Sequence, residues 1–361
     1  MTESGQLTVG KAVDWPFAAT VGARLARPAP PSTEYTRRQA IDELASAAKA
    51  AEPPVRDVTG LHTAGVIPDA CIVDRPDWIR AASESMRQMT GGGDAVGDTA
   101  AEPDDNVPAR LARAVTSRVT GAQTGAVLAF VSSGILGQYD PFGVDGGRLL
   151  LVYPNVIAVE RQLRVSPADF RLWVCLHEVT HRVQFTANPW LAQHMSNALG
   201  VLTADSSEDV AAVAGRLAEL VRNRRSGGDP DSAGVLGLVR AMQSEPQRRA
   251  LDQLLVLGTL LEGHADHVMD AVGPAVVPTV TTIRSRFESR RNRKLPPLQR
   301  IMRALLGVDA KMAQYTRGKA FVDHVVGRVG MERFNTIWTG PDTLPLPAEI
   351  DHPQRWIDRV L

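Results

Sequence analysis

Apolar residues recur every three to four positions along most of this chain, the spacing of helices with one buried face. The segment 34–51 is rich in alanine and is predicted to end at Pro53-Pro54, because proline interrupts the helical hydrogen-bond ladder. A further helix is predicted from Ser166, a favourable N-cap, to about Phe185. Other predicted helices cover 78–89, 108–137, 205–223, 245–272 and 296–329, the last broken near Gly307.

The best strand candidate is 148–153, an apolar run bounded by Gly146-Gly147 and Pro154-Asn155. Gly121, Gly125 and Gly134 fall within the helical segment 108–137, and close helix packing would explain them. The sequence therefore predicts a mainly α, α+β fold with a small sheet near residue 150.

Domain boundaries follow from a change in composition. Residues 91–106 are glycine-rich and acidic and show no apolar periodicity, which predicts a flexible loop. This loop separates a helical N-terminal region, 1–90, from a main domain at 107–361. The two regions could also form one unit.

Composition excludes several classes of protein. The 361 residues are 44% hydrophobic and 22% charged, as in a globular protein, and contain no apolar run of membrane-spanning length. Lys plus Arg and Asp plus Glu are 40 each, which argues against a protein devoted to nucleic acid. Cys71 and Cys175 do not form a disulfide framework, and the first residues do not have the pattern of a signal peptide. We expect a cytoplasmic protein without a membrane partner.

The segment His177-Glu178-Val179-Thr180-His181 carries the clearest chemistry in the chain. Residues four apart share a helical face, so His177 and His181 can direct both imidazoles at one zinc ion. Glu178 would then lie beside the metal, placed to take a proton from a water molecule. The pattern predicts a hydrolytic zinc site, unless it is a chance match on an ordinary helix.

A catalytic zinc normally has three protein ligands, and Glu262 is the predicted third. It lies in an apolar helical segment, where an unpaired carboxylate would be costly to bury. Asp266, one turn further on, could accept a hydrogen bond from a ligand histidine and fix its tautomer. His267 is a rival ligand, His264 is expected to face elsewhere, and Glu262 could instead be a surface carboxylate.

These motifs resemble a known family. HEVTH followed by EGHAD is similar to the glutamate-ligand branch of the zincin metallopeptidases, which pairs HExxH with a downstream ExxxD. More narrowly, LWVCLHEVTHRVQF, LLEGHADHVMDAVG, KMAQYTRGKAFVDHVVGRVG and FNTIWTGPDTLP resemble a bacterial family of zinc-dependent metalloproteases, also described as associated with biosynthesis of the deazaflavin coenzyme. The likeness extends over nearly the whole chain.

The resemblance implies a zincin-like fold with one Zn²⁺ per chain on His177, His181 and Glu262, and with Glu178 as catalytic base. It does not imply a substrate. The interval between His181 and Glu262 is longer than the few tens of residues typical of better-studied relatives. We therefore expect helices around 205–243 to cover the cleft.

Two further parts of the site are predicted. Hydrolysis of an amide needs a donor for the oxyanion, and Tyr315, which shares a helical face with Lys311, is our candidate. A half-buried tyrosine bonded to backbone is the alternative. In zincins a strand at the cleft edge pairs with substrate, a role that suits Leu150, Leu151 and Val152.

The segment 284–303 holds eight basic residues and one acid. It could bind an anionic partner, but a solvated basic face or mobile loop is favoured, because the segment lacks the repeated aromatic residues that base stacking needs. The sequence as a whole favours a zinc hydrolase, most simply a peptidase. The alternatives are a catalytically silent zinc-binding protein and a metal-dependent enzyme acting on a coenzyme precursor.

Overall fold

The computed structural model describes residues 13–63, 65–90, 107–143, 146–203, 243–291 and 308–361, with the backbone alone at 107–114, 203, 291 and 308–316. The predictions for 91–106, 205–223 and 296–307 lie outside the described residues, and so does the segment up to residue 242 that is expected to cover the cleft. The strands are β1 (Cys71–Val73), β2 (Gly137–Asp140) and β3 (Arg148–Val152). The helices are α1 (Trp15–Leu25), α2 (Glu34–Thr59), α3 (Arg75–Met89), α4 (Val107–Ser132), α5 (Tyr153–Leu163), α6 (Pro167–Ala187), α7 (Trp190–Thr203), α8 (Glu245–Val272), α9 (Val280–Arg291), α10 (Val308–Phe334), α11 (Pro347–Asp351) and α12 (Pro353–Val360).

The predicted fold class is confirmed: the described chain is mostly helical and contains one three-stranded sheet. Its contacts divide the chain into two units. The first comprises Met1–Ser196 and Ala265–Arg291, and the second comprises Asn197–His264 and Asn292–Leu361.

The sheet of the first unit has the order β1-β3-β2, with β1 parallel and β2 antiparallel to β3. Because β3 is central, both of its edges are hydrogen-bonded. Leu150, Leu151 and Val152 are also buried at 2%, 0% and 0% exposure. Their predicted role on a substrate-binding edge strand is therefore wrong. An apolar run buried on both faces of a sheet looks, in sequence, the same as a candidate edge strand.

The side chains of the sheet alternate between two helical layers. Leu150 and Val152 join a core with Trp78, Ile79 and Leu128 of α3 and α4. Residues on the opposite face, such as Leu151, lie towards α6. The helix that carries the histidine pair is thus packed on the sheet from one side and on α2 from the other.

Close packing at glycine is confirmed for α4. A Cβ built at Gly125 would lie 2.5 Å from the carbonyl oxygen of Ala18 in α1, and one at Gly121 would lie 2.7 Å from that of Asp14. Gly134 follows the end of the helix, where a Cβ would meet nothing closer than 3.7 Å. The close approach of α1 to α4 accounts for Gly121 and Gly125 only.

The predicted end of the second helix was wrong. α2 continues through Pro53 and Pro54 and ends at Thr59, followed by Gly60 as the C-cap, whose φ of 64° is left-handed. Proline removes a helical hydrogen bond, but here the residues that follow stay on a buried face, including Val55 at 0% exposure. Packing of this last part of α2 outweighs the local preference of the two prolines.

The second unit ends in short helices. Pro347 and Pro353 occupy the first positions of α11 and α12, where the missing N–H has no helical partner to lose. Trp356 is fully buried, and its Nε1 donates to the carbonyl of Thr343 at 2.8 Å. The proline-rich tail is therefore a folded part of the unit.

No helix in the described ranges combines the length and the apolar composition needed to cross a bilayer.

Candidate metal centre

The histidine pair is displayed by α6 as its spacing predicts. Ser166 caps the helix by accepting from the N–H of Asp169, with Pro167 in the first turn, so the predicted start is confirmed. The Nε2 atoms of His177 and His181 are 3.2 Å apart, and their rings are nearly perpendicular. Two nitrogens on one tetrahedral zinc would be about 3.3 Å apart, since each Zn–N bond is about 2.0–2.1 Å. The pair is spaced for a shared metal.

Gln184 holds one of the two rings. Its Oε1 lies 2.9 Å from Nδ1 of His181, and because an amide oxygen can only accept, Nδ1 donates. Nε2 of His181 is then left with its lone pair, which is the form that binds a metal. Sequence reasoning missed Gln184. Its position three residues after His181, on the ligand face of α6, was the available signal.

Glu262 joins this pair. One ligand atom from each of His177, His181 and Glu262 lies within 4.8 Å of the others, and all three residues are half-buried. Two imidazoles and one carboxylate form the donor set of a catalytic zinc site with one position left for another ligand. The residues present therefore fit a divalent metal of the zinc type.

Of the two other histidines in this part of α8, only His264 was expected to face away from the site. His264 is fully buried and stacks on Phe334 in the second unit, 5.5 Å between ring centroids. His267 is not part of the three-residue cluster. Asp266 is half-buried one turn after Glu262, and its contact with a ligand histidine stays a prediction.

Glu178 lies beside the pair with 7% of its surface exposed. A Cβ built at Gly137 of β2 would lie 2.6 Å from Cγ of Glu178 and 2.9 Å from its Cδ. Any larger residue at 137 would have to displace the carboxylate. Gly137, a second residue that sequence reasoning missed, thus sets the space that Glu178 occupies.

Replacing Gly137 with alanine is expected to reduce hydrolytic activity by at least about 100-fold, because a displacement near 1 Å of a catalytic group has effects of that size. Zinc content should stay at the wild-type level, since none of the predicted ligands is touched. Gly134→Ala is the matched control, because a Cβ there meets nothing within 3.7 Å. Steady-state kinetics with metal analysis of both variants would test this; equal activity in the two would contradict it.

Cys175 is a buried core thiol, as predicted. It is fully buried, its Sγ lies 3.8 Å from the carbonyl oxygen of Leu44, and burial, followed by the nearby Glu178 carboxylate, raises the pKa of the thiol. The thiol faces α2 and is not among the residues that could hold a metal ion.

Tyr315 and Lys311 lie on α10, where the structure describes the backbone alone, so the prediction for their side chains is untested. The helix crosses α8 closely: Gly318 faces Gly263, and a Cβ at either residue would overlap the backbone of the other helix. Gly263 directly follows Glu262. Tyr315 lies one helical turn before this crossing.

The basic segment is only partly within the described residues. Arg284 pairs with Asp270, Arg286 donates to the carbonyls at 163 and 164, and Arg290 donates to Gln162. These contacts bind α9 to its neighbours within the first unit. The arginines described here support the fold, and residues 292–303 lie outside the described part.

Comparison with known proteins agrees with this geometry. The sequence profile of the zincin-like metallopeptidase family matches residues 13–357. No curated protein matches the chain. A crystal structure from Chloroflexus aurantiacus, described provisionally as a hydrolase with a novel fold, is 28% identical, with a TM-score of 0.65, over 96% of this chain and 98% of that one. The family and this structural relative point to a hydrolase, and the family implies a divalent metal. The chain belongs to the zincin-like metallopeptidase family.

Proposed function

We propose that this protein is a zinc-dependent peptidase in which His177, His181 and Glu262 bind one Zn²⁺ per chain. The observation that carries the proposal is the convergence of these ligands, within 4.8 Å, beside the buried carboxylate of Glu178. When bound, zinc would supply a Lewis acid that lowers the pKa of a water molecule and polarises a carbonyl.

Glu178 is the general base of this reaction. It receives a proton on its carboxylate as water attacks the carbonyl carbon, and returns the proton to the leaving amine. Gly137 limits the space open to the Glu178 carboxylate, and Gln184 favours the tautomer of His181 whose Nε2 can bind a metal. Asp266 is proposed to orient a ligand histidine in the same way.

β2 is the strand that suits an extended substrate. Val152 donates to the carbonyl of Leu136 at 2.8 Å, so the alternation of an antiparallel ladder directs the N–H and C=O of Gly137 away from β3. A peptide paired with those groups would pass next to Glu178. Backbone pairing of this kind gives affinity with little dependence on sequence.

Tyr315 is proposed to donate a hydrogen bond to the oxyanion. Support comes from the close crossing at Gly263 and Gly318, since Tyr315 precedes Gly318 by one helical turn. A localised negative charge at this point needs a donor in addition to the metal.

Two other functions stay open to test. A catalytically silent protein would bind zinc without turnover, and an enzyme of another class could act on a coenzyme precursor. The association with deazaflavin biosynthesis rests on sequence resemblance and stays a prediction.

A peptide-library assay with detection by mass spectrometry tests the proposal. We expect hydrolysis at internal amide bonds that stops with a chelator and returns with added Zn²⁺. Intact peptides in the presence of stoichiometric zinc would contradict peptidase activity and favour the silent protein.

A further inference from the structure

A cavity of about 350 Å³ lies in the first unit, apart from the three metal ligands. Its walls come from the last turns of α2, from Thr63 and residues 66–68, from the region around β2 and from the second half of α6. This volume is within the range of small-molecule and side-chain pockets. The metal centre described above does not use it.

The charges in this cavity do not balance. The two carboxylate oxygens of Glu52 are divided between two arginines: Oε1 accepts from Arg56 at 2.8 Å, and Oε2 accepts from Arg182 at 2.5 Å. Arg56 also donates to Thr63, and Arg182 donates to the carbonyl of Pro68. Among the described residues that line the cavity, two guanidinium groups and one carboxylate leave an excess of one positive charge.

Arg182 retains donor capacity. Its side chain is 6% exposed, and among the described residues nothing accepts a hydrogen bond from its Nε. Nη1 and Nη2 of Arg182 each make one of their two possible hydrogen bonds, so an anion in the cavity could accept from the remaining N–H groups. The unpaired donor and the excess charge therefore point to the same kind of ligand.

The cavity is aligned with the proposed base. Glu178, Arg182 and Phe185 share a face of α6, with Arg182 about 6 Å further along the axis than Glu178. On β2, Gly137 faces Glu178, and the ring of Tyr139 packs against Phe185 at 5.8 Å. Side chains two residues apart in an extended peptide are about 6.8 Å apart on one face. A peptide on β2 with its scissile bond at Glu178 thus directs a side chain two residues away towards Arg182.

Apolar groups complete the walls. Ile67, Pro68 and Phe185 surround the charged triad with hydrocarbon. Such a pocket suits an aliphatic stem that ends in a carboxylate, the chemistry of glutamate and, with a shorter stem, aspartate.

We propose that this cavity is a specificity pocket for an acidic side chain of the peptide substrate, bound by Arg182 and Arg56. The inference rests on the proposed peptidase function, because the order of subsites is set by Glu178 and β2. It predicts a preference for peptide substrates with an acidic residue two positions from the scissile bond.

The test uses two fluorescent peptides with blocked termini. They are identical except for glutamate or glutamine two residues from the scissile bond, where the side chain would enter the cavity. Blocked termini remove other carboxylates. We expect kcat/KM of the wild-type enzyme to be at least about tenfold higher for the glutamate peptide. Arg56→Gln should reduce this ratio to about two or less, because Glu52 and Arg182 then form a neutral pair. Arg38→Gln, at an exposed pair on the same helix, should keep it.

Binding to the zinc-loaded Glu178→Gln protein separates this proposal from that of peptidase activity. If the wild-type enzyme cleaves neither peptide, the glutamate peptide should still bind at least tenfold more tightly than the glutamine peptide. That result would support the pocket and contradict the peptidase proposal. Equal affinity for the two peptides would contradict the proposal that the cavity binds an acidic side chain. The wild-type ratio needs no variant, so misfolding of Arg56→Gln would leave the test decisive.

Discussion

Glu178→Gln is expected to reduce peptide hydrolysis by about 10²–10⁴-fold, the usual contribution of a general base. Glutamine has nearly the same shape but cannot accept a proton, so the loss should fall on kcat. The zinc content should stay at the wild-type level, because Glu178 is not one of the proposed ligands. Steady-state kinetics and metal analysis on the same preparation would measure both effects.

Glu84→Gln is the matched control for that variant, since Glu84 lies on α3 in a partly exposed pair with Arg87. It should keep full activity. Full activity in Glu178→Gln, with zinc bound, would contradict the role of Glu178 as base.

Glu52→Ala is expected to lower the free energy of unfolding by about 3–5 kcal/mol, the effect of leaving a buried charge without its partner. Arg182 is 6% exposed and Arg56 17%, and both depend on the same carboxylate. Arg182 directly follows His181, so its ion pair with Glu52 also holds α6 against α2. Urea denaturation would measure the change.

Glu34→Ala provides the comparison on the same helix. Glu34 pairs with Arg38 while 68% exposed, and pairs of this kind contribute about 0–1 kcal/mol. Similar losses for the two variants would contradict a structural role for the buried triad of Glu52, Arg56 and Arg182.

Helix α6, which carries His177 and His181, could be predicted from sequence because its determinants are local. Ser166 and Pro167 set its start, and the i, i+4 spacing of His177 and His181 sets their common face. Glu262 could be singled out as well, because a carboxylate in an apolar helix requires a partner. These signals need no knowledge of how distant segments pack.

The remaining features depend on contacts that are distant in sequence. β3 is central because β1, more than seventy positions earlier, pairs with it, and nothing in Leu150-Leu151-Val152 distinguishes a central from an edge strand. The helix continues through Pro53 because the residues beyond it are buried. Gly137 has meaning only once β2 lies against Glu178. A short local pattern cannot encode these relations.

The most direct test of the account is the zinc content of the purified protein, measured by mass spectrometry for the wild type and Glu262→Ala. We predict one zinc per wild-type chain and an affinity at least about 100-fold weaker in the variant, because one of three ligands is lost. Glu245→Ala, at the exposed start of the same helix, should bind zinc as the wild type does. A wild-type chain without affinity for zinc, or a Glu262→Ala variant with unchanged affinity, would contradict the His177–His181–Glu262 centre.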